Sequence, residues 1–94
     1  MNKYFALQKA NRMRTKLLTP KSQEQLKEVL RYLRRVSWDF CGIELVRSDL
    51  LDIAIQANAE NQELFHTISD AKTFVNEVKP SLKTLRAGDY FWYL

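Results

Sequence analysis

Two glycines, Gly42 and Gly88, and two prolines, Pro20 and Pro80, are all that 94 residues offer for tight turns. An all-β chain turns about every ten residues and draws heavily on those two residue types. The chain therefore reads as all-α, and its length supports a single domain, 1–94. With 46% hydrophobic and 28% charged residues, it is apolar enough to fold rather than stay disordered. Cys41, the sole cysteine, leaves no partner for an intrachain disulfide and fits a reducing compartment. No apolar run approaches the ~18 residues of a membrane span. The apolar stretch 4–7 is too short for a signal-peptide core. The expectation is a cytoplasmic protein.

Periodicity predicts an antiparallel bundle of four main helices, at about 2–18, 22–36, 43–59 and 69–79, with a short C-terminal turn and an aromatic tail over 86–94. In the first helix, Tyr4, Leu7, Ala10, Met13 or Arg14, Leu17 and Leu18 recur at helical spacing. Thr19-Pro20 ends it and opens the second, with Ser22 and Gln25 as an alternative capping box. Leu26, Val29, Leu30, Leu33 and Val36 form the clearest stripe in the chain. Residues 37–42 (SWDFCG) read as a tight connection whose aromatics plug the end of the core, with Cys41 as a small apolar filler. The third helix is apolar over most of its circumference, which predicts the central position. Ile43, Val46, Leu50, Ile53, Ala54 and Ala57 form its stripe, Leu45, Leu51 and Ile55 widen it, and Glu44, Ser48, Asp52 and Gln56 make a narrow polar side. A bend is expected at 58–61, and Thr67 with Asp70, or Ser69 alone, as the cap of the fourth helix. That helix would bury Ala71, Phe74, Val75 and Val78.

Charge divides the chain in two. Residues 1–36 hold ten basic and two acidic side chains, a net +8, and 37–94 hold five and nine, a net −4. Lys9, Arg12 and Lys16 fall on one face of the first helix. Lys27, Arg31, Arg34 and Arg35 lie on the polar side of the second. These seven are candidates to bind nucleic-acid phosphates without reading sequence, because no helix-turn-helix is present to enter a groove. The simpler explanations are solvated helix faces, self-neutralisation within the fold, or a head-to-tail dimer.

Enzyme signatures are missing, and no cofactor is expected. One His and one Cys cannot make a zinc site within one chain. The isolated glycines form no phosphate loop. Asp49 and Asp52, a helical turn apart, read as well as a solvated face. Glu63 and His66 form a single E-x-x-H, which on a helix puts both side chains on one face. Di-iron bundles use two such motifs with two further glutamates, so a metal site here would have to form across a dimer, with Glu60, Glu44 or Asp49 drafted in. A structural or solvated His66 is the plainer reading. Tyr90, Phe91, Trp92 and Tyr93 put four aromatics near the C-terminus. They either dock on the bundle or serve as a partner anchor, since such side chains dominate interface hot spots.

The motifs Leu18-Thr19-Pro20-Lys21 and Ser48-Asp49-Leu50-Leu51-Asp52, the segments 57–60 (ANAE) and 67–70 (TISD), and Phe74 and Val75 carry a resemblance. They are similar to those of a family of small all-α proteins of bacilli and relatives, some of which carry the label "DNA-binding ferritin-like". The resemblance covers about 10–80, implies an all-α fold and supplies no catalytic residues. Bacteriocin immunity proteins share only the shape of a small basic helical bundle. Taken together, the sequence predicts a non-enzymatic interaction or regulatory protein holding a protein partner, with a second copy of itself (a homodimer) as one such partner. The alternatives are non-specific nucleic-acid binding by the first two helices and an immunity-like role.

Overall fold

Thr19-Pro20 does what its chemistry allows. Proline has no amide to leave unsatisfied in a first turn, and Thr19 accepts a hydrogen bond at its side chain from the Ser22 amide at 3.3 Å. This starts α2 (Pro20–Val36). In the computed structural model, which describes residues 3–82, α2 follows α1 (Lys3–Thr15) and precedes α3 (Phe40–Ala59), α4 (Leu64–Ile68) and α5 (Ala71–Val78). A single 3-10 turn, Lys79–Ser81, accommodates Pro80 after α5. The described residues contain no strand, so the protein is an all-α bundle: four main helices, as expected, and one short extra one.

Leu26, Val29, Leu30 and Leu33 of α2 pack with Ile43, Leu50, Leu51 and Ala54 of α3 into one core, closed by Leu18, Leu64, Ala71 and Val75. A fully buried Leu or Ile contributes about 2 kcal/mol of transfer free energy, so this cluster is what holds α2 in place. Val36 does not join it and stays 39% exposed. In α5, Ala71 and Val75 are buried, with Phe74 and Val78 packed partly against the core.

α3 is central, packing against α1, α2 and α4. It begins three residues before the predicted boundary because Asp39 caps it, its carboxylate accepting from the Gly42 amide at 2.9 Å. Gly42 is there for space: a Cβ would stand 2.6 Å from Asp39 Cγ. The connection does not plug the core. Trp38 is 76% exposed and Phe40 44%, while Asp39 and Cys41 turn inward. The capping requirement fixes the inward side of this segment, and the aromatics take what is left. Burial pushes the Cys41 thiol up, with Asp39 and Glu44 adding to the shift.

α3 ends in a complete Schellman motif. Asn61 takes a left-handed φ of 62°, its amide donates to Asn58 O at 3.0 Å, and the Gln62 amide donates to Ala57 O at 2.8 Å. Asparagine tolerates this conformation better than most residues. The expected bend at 58–61 is this cap.

The short α4 has no cap of its own. Its amides are capped from α2: Ser22 Oγ accepts from the Leu64 amide at 3.2 Å, and Gln25 Oε1 from the Phe65 amide at 2.9 Å. Ser22 and Gln25 thus do not form a box on α2, whose cap is Thr19. Asn58 ties the same corner, accepting from the Thr19 amide and donating to Ser22 Oγ and Gln62 O. α5 is capped neither by Thr67 nor by Ser69 but by Asp70, which accepts from the Thr73 amide at 2.8 Å.

Candidate polyanion-binding face

α1 corrects part of the prediction made for it: Leu18 is buried, Tyr4 and Leu7 are half-buried, and Arg14 rather than Met13 turns inward. Ala10, Met13 and Leu17 face solvent, Met13 at 61% and Leu17 at 71% exposure, while Asn11 is fully buried. The reason is the partner it meets. The first part of the polar side of α3 is the seat of α1, with Glu44 buried and Ser48 half-buried while Asp52 and Gln56 stay exposed, and a polar seat selects a polar face. Asn11 Nδ2 donates to Glu44 O at 2.9 Å and Glu44 Oε1 at 3.1 Å. Arg14 reaches Ser48 Oγ and pairs with Asp52, and Arg47 Nη2 donates to Thr15 Oγ1 at 3.2 Å. Residue numbers rise together across this seam, so α1 and α3 run parallel. α2 runs the other way, with Ser22 at its start beside Asn58 near the end of α3. Two buried polar atoms of the seam, Asn11 Oδ1 and Arg47 Nε, find no partner among the described residues.

This docking decides where the basic side chains go. A groove of about 320 Å³ lies along the first half of α2, lined by its Pro20, Gln23, Glu24, Leu26, Lys27 and Leu30, with Thr15 at the end of α1 and Arg47 of α3. On a helix turning about 100° per residue, Arg12 lies about 60° round α1 from Thr15, Lys16 about 100° and Lys9 about 120°, so Arg12 is the nearest of the three to the groove. Ala10 and Leu17 lie within about 60° of Arg14, on the side away from it, and Met13 lies nearly opposite Thr15. On α2, Arg31 lies one turn beyond Lys27 and Arg34 one turn beyond Leu30. Of the seven predicted basic residues, Lys27 lines this groove, Arg31 lines a second groove, and Arg12, Lys16 and Arg34 stand on the helix flanks next to the first. Arg35 lines neither; its guanidinium lies 5.6 Å from the centre of the Tyr32 ring.

All seven are exposed, and none forms an ion pair among the described residues. The ion pairs found there are Arg14–Asp52 and Glu44–Arg47. Apart from Arg14, the basic side chains of the first two helices thus form no ion pair among the described residues. Arg47 is the residue that sequence reading missed. As a lone cation on an otherwise apolar and acidic helix it carried no pattern, and only the seating of α1 places it in the groove wall. The second groove, of about 420 Å³ on the other flank of α2, mixes Lys21, Lys27 and Arg31 with Glu24 and Glu28 beside Phe65, and its charges largely cancel.

The metal candidates separate. Glu63 lies in extended backbone before α4 and accepts from Gln25 Nε2 at 2.9 Å, so it shares no helix face with His66, which is exposed. No cluster of three or more potential metal ligands occurs among the described residues. The candidate anchor Tyr90, Phe91, Trp92 and Tyr93 lies outside them. No described helix is long and apolar enough to cross a membrane. No family model matches the chain, nor does any curated protein or solved structure.

Proposed function

We propose that this chain is a non-enzymatic binding protein whose working surface is the basic face of α1 and α2, and that its ligand is the phosphate backbone of nucleic acid. The observation that supports this is a groove lined by Lys27 and Arg47, bordered by helices whose exposed Lys9, Arg12, Lys16, Arg31 and Arg34 form no ion pair with a described neighbour. Phosphates displacing counterions from such a face give affinity without sequence readout. Nothing in the groove is arranged to read base edges: its floor is Leu26 and Leu30, and the central helix is covered by its neighbours. A cytoplasmic location accompanies this reading. The exposed apolar end of the bundle is a separate surface with its own chemistry.

The test is fluorescence anisotropy with a labelled random-sequence duplex. Reversal of Lys9, Arg12 and Lys16 to Glu on α1, or of Lys27, Arg31 and Arg34 on α2, is expected to abolish binding at moderate salt. Reversal of Lys72 and Lys79, exposed on and just after α5, is the control and leaves it intact. Equal losses in all three variants would reduce the effect to net charge and contradict the reading.

A further inference from the structure

The α2–α3 corner exposes a tryptophan at 76%, the most exposed of the large apolar side chains described, with Val36 at 39% and Phe40 at 44% on either side. Phe5 at 51% belongs to the same end of the bundle, because α1 runs parallel to α3 and begins where α3 begins. Cations stand behind this apolar tip: Arg34 and Arg35 occupy the last turn of α2, and Lys3 opens α1. The one acid between Arg34 and Ile43 is Asp39, and it is turned inward, buried at 4% exposure with its carboxylate on the Gly42 amide. The corner therefore presents an indole and two apolar neighbours on a three-residue connection, backed by arginine and with no outward negative charge.

We infer that the α2–α3 corner is a membrane-docking tip, in which Trp38 enters the interfacial region of an anionic bilayer while Arg34 and Arg35 meet its headgroups. Indole is at its best at that depth, where its ring is out of water and its N–H still finds acceptors. Each arginine near an anionic surface contributes about 1 kcal/mol, and burial of Trp38 with Val36 and Phe40 supplies the rest. The chemistry selects a lipid surface over a folded protein. A protein interface would need an acidic, shape-matched pocket, whereas a bilayer supplies anionic charge and an apolar interior in that order from outside in, matching arginines behind an apolar point. Arg34 is shared with the nucleic-acid reading, but Lys9, Arg12 and Lys16 serve only that reading and Trp38 only the tip, so the failure of one is distinguishable from the failure of the other.

Sedimentation of the full chain with vesicles of phosphatidylcholine alone, and of phosphatidylcholine with phosphatidylglycerol, tests it. Binding is expected to the anionic vesicles only. Trp38→Ala is expected to weaken it at least about tenfold, as is the pair Arg34→Glu and Arg35→Glu, while Lys9, Arg12 and Lys16 reversal leaves most of it. In a Trp92→Phe background, Trp38 emission should shift to the blue on binding and be quenched by brominated acyl chains. Trp38, Arg34, Arg35, Lys9, Arg12 and Lys16 are exposed, so their variants are expected to retain the helical circular dichroism of the parent, which is measured for each. Absence of vesicle binding overturns the inference and returns the corner to a protein partner. Binding that is indifferent to Trp38→Ala, or that leaves the indole in water, overturns it as well, as adsorption by charge alone.

Discussion

Gly42 shows how one residue position ties two requirements together. The α3 cap needs the Asp39 carboxylate over the first turn, and the carboxylate occupies the space a side chain would take. Gly42→Ala gains helix propensity but forces the cap aside, and a lost cap plus overpacking outweighs that gain. The expected outcome is a loss of about 1–3 kcal/mol in urea unfolding. Cys41 beside it supplies a second test. Its thiol is buried and its ionisation is pushed up by desolvation, then by Asp39 and Glu44. At a mildly alkaline pH it should react with a disulfide reagent far more slowly than the unfolded chain does; comparable rates would contradict its placement. Both residues were visible in the sequence as part of an unusual segment, but which of its side chains turned inward was not. Aromatic residues are the usual core plugs, and here the cap took precedence over them.

At the scale of elements, the fold depends on groups that act across helices. α4 is five residues long, below the length at which a helix holds itself, and its amides are satisfied by Ser22 and Gln25 of α2. Gln25→Ala leaves the Phe65 amide without this acceptor and is expected to cost about 1–2 kcal/mol, with hydrogen-exchange protection lost first over Leu64–Ile68. The α5 cap carries a pH signature. Asp70 is held below its usual carboxylate range first by the Thr73 amide, then by the Thr73 hydroxyl. A depressed folded value means the stabilisation is present above the unfolded value and is lost as pH falls through the folded one. Asp70→Asn should therefore flatten part of the acid limb of the stability curve without shifting its neutral plateau by a comparable amount. α2 was legible from its stripe because burial of its leucines decides everything about it. α1 was not, because its apolar and polar faces are both partly solvated. Which of them docks depends on the polar stripe of α3, a match that no single-helix pattern contains.

For the whole molecule, the asymmetry of charge written along the chain becomes an asymmetry across its surface. The seating of α1 through Asn11, Arg14 and Thr15 leaves Lys9, Arg12 and Lys16 exposed, and the proposed binding face joins them to the basic side of α2. The stripes themselves were readable from spacing; the place of Arg47 beside Lys27 in one groove needed the packing of α1 on α3. Glu24 is the one acid lining that groove, so Glu24→Lys should strengthen binding of duplex DNA while reversals at Lys72 and Lys79 do not weaken it. The most direct test of the basic face is the affinity for random duplex DNA measured across a salt series, for the parent and for the variant with Lys27, Arg31 and Arg34 changed to Glu. The account predicts a linear fall of log affinity with log salt, and a slope shallower by about 0.9 for each phosphate that the variant no longer neutralises. A parent that fails to bind at low salt, or a variant with an unchanged slope, would contradict it.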